Sequence, residues 1–418
     1  MLTDQAVILC GGRGTRLRPI TDTVPKPMVP VCGRPFLEHL LEQLRRNGFT
    51  EVVLLTGYLG EIIENHFGDG GRFGINISYS HGPEEWDTGR RLWEARLLVK
   101  EHFFLLYGDN YATFLPERIE EMFLKHGRLG CLSLHARTKN ANIRYGEDGL
   151  IEEYDRSRQA LGLNAVEIGY MLLSSRIFEF YWQPDCSFSE ILERLAREGQ
   201  LSAYLLGDAY YSISDPERLK ITEQYLTPKK ILLIDRDGTI NEKAPRGEYI
   251  TRWEDFRFIP STVEGMKQLA AQGWSFIVIS NQAGVGRGVM TTEQVWEIDR
   301  RMVEVLASEG VAILRSYYCF HHWTEKCVCR KPRPGMLLQA SRDFLLPLPR
   351  TWFIGDDPRD CTAAWEAGCP AVYLGPTAEL DSLSVDEWPT LVLQKLSETL
   401  ASLFSRGEDH LHAPIPQP

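Results

Sequence analysis

Ile231-Leu-Leu-Ile-Asp235-Arg-Asp237-Gly-Thr-Ile-Asn241 is the stretch on which the reading of this chain turns. Four apolar residues predict a buried strand. A strand that ends in carboxylates at i and i+2 projects both from the same side of its terminus. Gly238 lets the chain turn sharply away from them. So placed, Asp235 is a candidate nucleophile toward phosphorus, and Asp237 a candidate acid for the leaving oxygen and later base for water. Two anions facing a phosphate need a counterion, which a carboxylate-bound magnesium ion supplies.

Further strand ends downstream carry matching chemistry. The apolar run 275–279 leads into Ser280-Asn281-Gln-Ala-Gly-Val-Gly-Arg287, where Ser280 and Asn281 suit phosphate oxygens and Arg287 the substrate. The turn Arg330-Lys331-Pro-Arg-Pro-Gly335 presents cations. Lys331 would bridge nucleophile and phosphate, and Arg330 would orient the substrate. A run over 351–354 ends in Gly355-Asp356-Asp-Pro-Arg-Asp360, with Asp356 a magnesium ligand and Asp360 a loop support or helix cap. Runs at 316–319 and 371–374 complete the expected strands. Ahead of the cationic turn lies Cys319-Phe-His321-His322-Trp-Thr-Glu-Lys-Cys327-Val-Cys329. Three thiols and one imidazole make a closed tetrahedral zinc site with a structural role. His322 competes with His321 for the fourth position; the Cys-x-His spacing favours His321.

This order of motifs resembles the haloacid dehalogenase phosphatase superfamily over about residues 229–385. The resemblance implies that Asp235, Asp237 (through its main-chain carbonyl) and Asp356 hold magnesium. The zinc loop followed by Arg-Lys-Pro looks like the histidinol-phosphate and heptose-bisphosphate phosphatase group. Five residues separate His321 from Cys327, a spacing nearer the histidinol-phosphate type, so both substrates stay open.

Upstream, the apolar run Ala6–Cys10 enters Gly11-Gly12-Arg-Gly14-Thr15-Arg16, a loop whose glycines admit a polyphosphate to backbone amides and whose Arg16 would neutralise pyrophosphate. Lys26 between Pro25 and Pro27 adds a cation, and an apolar run ends in Gly108-Asp109-Asn110. Together these resemble the nucleoside-diphosphate-sugar pyrophosphorylase family over about residues 5–222. That resemblance implies a magnesium ion at Asp109, a nucleoside triphosphate on the glycine loop, and a sugar phosphate near Arg156, Glu167 and Gly169. The sugar phosphate is itself the nucleophile, so positioning and charge neutralisation carry such a reaction. Three places depart from the family: Asp87-Thr-Gly-Arg-Arg91 replaces a small-residue loop, Asp155-Arg156 replaces Glu-Lys, and Ser212 stands where a second metal aspartate is usual, with Asp215 nearby. An active transferase and a sugar-nucleotide-binding domain without turnover are both compatible with these changes; a purely structural dimerisation module fits the intact loop least.

The rest of the sequence sets bounds. With 418 residues two domains are expected, and a net charge of -11 argues against nucleic-acid binding. No apolar run or leader points to a membrane, so the expected location is the cytoplasm. Nine cysteines, six of them isolated, are no disulfide framework. The expected fold is α/β: two Rossmann-like doubly wound domains, a nucleotidyltransferase fold over 1–228 and a haloacid dehalogenase fold with a zinc loop over 229–405. The polar tail 406–418 is expected to fray. Pathway logic joins the halves. A heptose 1,7-bisphosphate that loses its 7-phosphate becomes a 1-phosphate ready for coupling to a nucleotide, GTP foremost.

Overall fold

Continuous apolar runs, rather than alternating ones, are what strands buried on both faces require. Gln5–Leu9, Glu51–Thr56 and His102–Tyr107 are such runs, and Phe36–Arg46 has the helical spacing to cover them. In the computed structural model, which describes residues 1–180, 185–245 and 247–396, Gln5–Leu9 pairs in parallel with the other two strands, one on each side. Asn76–His81 extends the parallel half. Beyond His102–Tyr107 the sheet changes direction. Ala165–Ser174 pairs antiparallel to it, and Gly130–Ala136, Ile143–Tyr145, Ile151–Tyr154 and Leu201–Leu206 complete nine strands. The sheet is therefore mixed around a doubly wound core. Strand direction is not encoded in a run such as Ala165–Ser174, which is buried almost throughout.

The chain divides into two compact units, Met1–Thr227 and the residues from Pro228 onward. In the second, six strands run parallel in the order Ile313–Cys319, Ser275–Asn281, Ile231–Ile234, Phe353–Gly355, Ala371–Leu374, Leu391–Leu393. Ile231–Ile234 is central, and its alternate side chains feed opposite faces. Leu232 and Ile234 join one apolar cluster with Met266 and Val278, while Leu233 joins another with Leu337 and Ala363. All strands point one way, so the loops after their C-terminal ends converge on one edge of the sheet. The expected strand 351–354 begins two residues later, because Thr351 closes a turn on Leu348 and its hydroxyl bonds the Pro347 carbonyl at 3.0 Å. The expected fraying tail, 406–418, lies outside the described residues. No helix among the described residues is long and apolar enough to cross a membrane.

Ile234 pairs in register with Val278 and Ile354 and is fully buried. Ile234→Ala is expected to cost about 2–5 kcal/mol in urea unfolding followed by tryptophan fluorescence. A loss under about 1 kcal/mol would place the strand outside the core.

Candidate active sites

Four loops meet over Asp235 in the second unit. The Lys331 ammonium, almost wholly buried, lies 2.8 Å from Asp235 Oδ1 and 2.7 Å from Asp360 Oδ1, and donates to the Ile279 carbonyl at 2.9 Å. Asn281 braces its backbone from both ends, donating to the Lys331 carbonyl at 3.0 Å and accepting from the Lys331 amide at 3.1 Å. Burial works against the lysine charge, but the two carboxylates outweigh it and hold the ammonium protonated.

Asp237 has different company. Its carboxylate accepts from Arg236, from Asn241 at 3.0 Å and from Gln282 at 2.6 Å. Burial pushes its carboxyl up, and the Arg236 charge with these hydrogen bonds more than reverses the push, so it sits below the usual carboxylate range. Asp356 accepts from the Thr239 hydroxyl at 2.9 Å and pairs with Lys243 at 2.5 Å. Burial first, then the Asp235 charge, raise its carboxyl. Gly238 has φ +97°, and a Cβ there would stand 2.2 Å from Asp356 Oδ2. The glycine therefore makes room for a carboxylate as well as a turn.

Asp235, Asp356 and Asp360 each offer an oxygen, all within 4.8 Å of one another. Such a hard-oxygen cluster suits magnesium, and Lys243 and Lys331 balance its charge here. The Asp237 carboxylate is not part of the cluster. A cavity of about 200 Å³ opens beside it, lined by Asp235, Asp237, Ser280, Asn281 and Lys331 and also by Lys243, Tyr249, Gln282 and Arg359. Arg287 and Arg330 lie outside that lining. Arg287 is held between the rings of Tyr249, at 5.6 Å, and Trp323, at 5.3 Å, and donates to the Gly247 carbonyl at 3.1 Å. It thus ties the cavity wall to the cysteine loop. Gln282 and Lys243 escaped the sequence reading. Gln282 stood inside the quoted Ser280–Arg287 motif, whereas nothing around Lys243 marks it.

In the cysteine loop, His321 Nδ1 lies 3.6 Å from Cys319 Sγ and 3.2 Å from Cys329 Sγ. The three sulfurs are 3.4–3.6 Å apart. A tetrahedron about an ion bonded to thiolates at about 2.3 Å has edges of about 3.8 Å, so the four atoms form a possible metal site. His322 faces elsewhere: its Nδ1 meets the Thr324 hydroxyl at 2.7 Å and its ring stacks on Trp323.

The first unit holds a cavity of about 810 Å³. Gly11, Gly12, Gly14, Thr15, Arg16, Lys26, Asp109, Arg156 and Glu167 line it, and Gly169 does not. Lys26 is ion-paired with Asp109. The amides of Gly11 through Arg16 donate to no protein acceptor among the described residues, the condition for an anion cradle. Arg156 pairs with Glu190 at 2.9 Å. Glu167 accepts from Tyr107 at 3.3 Å and from the Gly169 amide at 3.0 Å, and burial pushes its carboxyl up to about 7. Asp215 caps the helix Pro216–Leu226 by accepting from the Arg218 amide, and it is Ser214 that lines the cavity. The Ser212 hydroxyl accepts from Arg218 at 3.1 Å.

A nucleotidyl transferase family model matches residues 5–153, a polynucleotide kinase 3 phosphatase model residues 230–361, and a HAD-hydrolase-like model residues 328–399. A D-glycero-alpha-D-manno-heptose 1-phosphate guanylyltransferase of Campylobacter jejuni is 34% identical over 220 residues, which cover 51% of this chain and 96% of that protein. A D-glycero-beta-D-manno-heptose-1,7-bisphosphate 7-phosphatase of Photorhabdus laumondii is 33% identical over 174 residues, 40% of this chain and 91% of that protein. The catalytic subunit beta of a Danio rerio mannose-1-phosphate guanylyltransferase is 33% identical over 222 residues, 51% of this chain and 62% of that protein.

Because Glu167 keeps its proton in the folded state to about pH 7, and releases it near pH 4.5 when unfolded, it costs stability progressively as pH rises between those values. Glu167→Gln is expected to remove up to about 3 kcal/mol of that decline. Denaturant titrations at pH 5 and pH 7.5 measure it; an unchanged pH slope in the variant would contradict the assignment.

Proposed function

This chain belongs to the nucleotidyl transferase family in its first unit and to the HAD-like phosphatases in its second, and we propose that the two catalyse consecutive steps on one sugar phosphate. The proposed domains are 1–228 and 229–405, and the proposed setting is the cytoplasm. The second domain removes the 7-phosphate of D-glycero-D-manno-heptose 1,7-bisphosphate. Asp235 attacks phosphorus, the P–O bond to the sugar breaks, and an aspartyl-phosphate forms. Asp237 protonates the departing sugar oxygen, then takes a proton from the water that splits the aspartyl-phosphate. Asp237 is ionised at rest; the negative charge of an arriving phosphate raises its carboxyl toward the protonated form this step needs. Lys331 screens the nucleophile from the phosphoryl oxygens, while Ser280 and Asn281 hold those oxygens. Magnesium bound by Asp235, Asp356 and the Asp237 main-chain carbonyl would neutralise the transferring group. Cys319, His321, Cys327 and Cys329 hold a structural zinc.

The first domain then couples the heptose 1-phosphate to GTP. The sugar phosphate oxygen attacks the α-phosphorus and pyrophosphate leaves, so no protein nucleophile is needed. Arg16, Lys26 and the amides of Gly11, Gly12, Gly14 and Thr15 carry the triphosphate, Asp109 its magnesium, and Arg156, Glu167 and Gly169 the sugar. The observation that carries the whole reading is Asp235, Asp237 and Lys331 on one cavity wall in a chain whose other unit presents a row of unpaired loop amides to a cavity. A nucleotide-binding domain without turnover is the competing reading for the first unit, favoured by the hydrogen bond of Ser212 to Arg218.

Purified protein with magnesium is expected to release phosphate from a heptose 1,7-bisphosphate faster than from histidinol phosphate. Both anomers are assayed, because the guanylyltransferase and phosphatase relatives are named for opposite ones. Asp235→Asn should lower kcat by a factor on the order of 10³ or more. Pyrophosphate should appear when GTP is added to the dephosphorylated product. Atomic spectroscopy should find one zinc per chain, lost in Cys327→Ser. Preference for histidinol phosphate would sink the heptose assignment, and absence of pyrophosphate would favour the competing reading.

A further inference from the structure

Arg91 is a buried arginine without a carboxylate partner. Only 4% of it is exposed, and among the described residues no acidic group stands within 4.0 Å of its guanidinium. Asp87 and Glu85 reach it only through space. Carbonyls take its hydrogen bonds instead. Nη1 donates to Thr56 at 2.8 Å and Gly82 at 3.4 Å; Nη2 donates to Pro83 at 2.8 Å and to Gly11 and Glu84 at 3.4 Å. Three chain segments are thereby fastened to one side chain.

Two glycines make the space. A Cβ on Gly11 would lie 2.4 Å from Arg91 Cζ, and one on Gly57 would lie 2.5 Å from Nη1. At Gly12 the surroundings are open. The peptide between them is planar and trans, so its C=O and N–H point in opposite directions. The Gly11 carbonyl is drawn to Arg91 and to the Tyr58 amide at 3.2 Å. The Gly12 N–H of the same peptide must therefore point the other way, and it bonds to nothing among the described residues.

We propose that Arg91 is a positioning residue for the nucleotide. It locks the Gly11–Gly12 peptide with its N–H toward the ligand, and it sets an unmatched positive charge behind the loop that receives the triphosphate. Carbonyl dipoles solvate the guanidinium without cancelling its charge, so that charge, partly offset by Asp87 and Glu85 at longer range, acts on an incoming anion. This inference rests on the nucleotidyl-transfer reading of the first unit.

The test uses the full chain with Arg91→Met and Arg91→Lys. Arg91→Met is expected to raise KM for GTP at least tenfold while kcat changes less than threefold. Arg91→Lys keeps the charge and loses the grip on several carbonyls, so its KM should fall between the two. Phosphate release by the second unit should be unchanged in both and normalises for intact enzyme, while a circular-dichroism melt of each variant against wild type reports on folding of the first unit. A GTP KM within twofold of wild type in Arg91→Met overturns the proposal. If that variant fails to fold, Arg91→Lys decides: a wild-type KM there overturns the proposal, and a raised KM with unchanged kcat supports it. Calorimetry with GTP on the wild type separates the two levels of argument, since no binding at all would overturn the nucleotidyl-transfer reading itself.

Discussion

The second unit is organised around a single ammonium group wedged between two buried carboxylates. Removing charges from water costs several kcal/mol each unless every one meets a partner of opposite sign. Asp235 and Asp360 meet theirs in Lys331, Asp356 in Lys243, and Asp237 in Arg236. Arg236 is itself wholly buried and lies over the Tyr318 ring at 5.5 Å. The parallel sheet creates the problem, because every strand delivers its polar terminus to the same edge. It also contains the remedy, since Asn281, the last residue of its strand, braces Lys331 on the turn that follows the cysteine loop. A site of this kind is preorganised before any ligand arrives: Asp235 is held by a cation whose other contacts fix its position.

The first unit meets an anion by another route. Its loop carries a row of unpaired amides beside Arg16 and Lys26, the lysine already paired with Asp109, while Arg91, Arg156 and Arg158 also line the cavity. Backbone amides bring partial charges, so their direction decides what they contribute. That direction is set from behind, by which carbonyls are bound on the far side of each peptide. A glycine-rich sequence permits many loop conformations, and the contacts around Gly11 and Gly57 choose among them.

This difference explains what was legible in the sequence. Motifs at strand ends could be read because a strand fixes the side on which i and i+2 emerge, which brought Asp235, Asp237, Ser280 and Asp356 to one place; Lys331, on a turn, was read from its Arg-Lys-Pro motif. The cysteine spacing was legible for a similar reason, since a short loop leaves thiols few ways to avoid one another. Residues acting from irregular backbone were not. Lys243 follows no motif, and Arg287 looked like a substrate contact until its ring partners Tyr249 and Trp323 were known. Arg91 looked only like a bulky departure from a small-residue loop. Its position 80 residues from Gly11 in sequence hides a contact that only the folded sheet creates. The antiparallel half of the first sheet was hidden for another reason: its longest strand, Ala165–Ser174, is buried almost throughout, which erases the alternation that marks a half-exposed antiparallel strand.

The cysteine loop shows how a local constraint becomes a functional one. Between Phe320 and Pro334 the chain is mostly exposed and has little apolar surface with which to fold itself. Without a metal, four ligand atoms within 4.8 Å of one another would have only weak sulfur contacts to hold them. An ion bonded to all four would replace the missing core, as it does in small metal-dependent domains. Two tethers then lead from this loop toward the chemistry. Cys329 is followed directly by Arg330 and Lys331, so the last sulfur ligand stands two residues from the buried ammonium. Trp323, on the other arm, stacks against Arg287, which reaches the cavity wall at Gly247 and Tyr249. A metal at these four ligands would therefore anchor both Lys331 and the cavity wall beside it, and the loop's order would become a condition of the site's order.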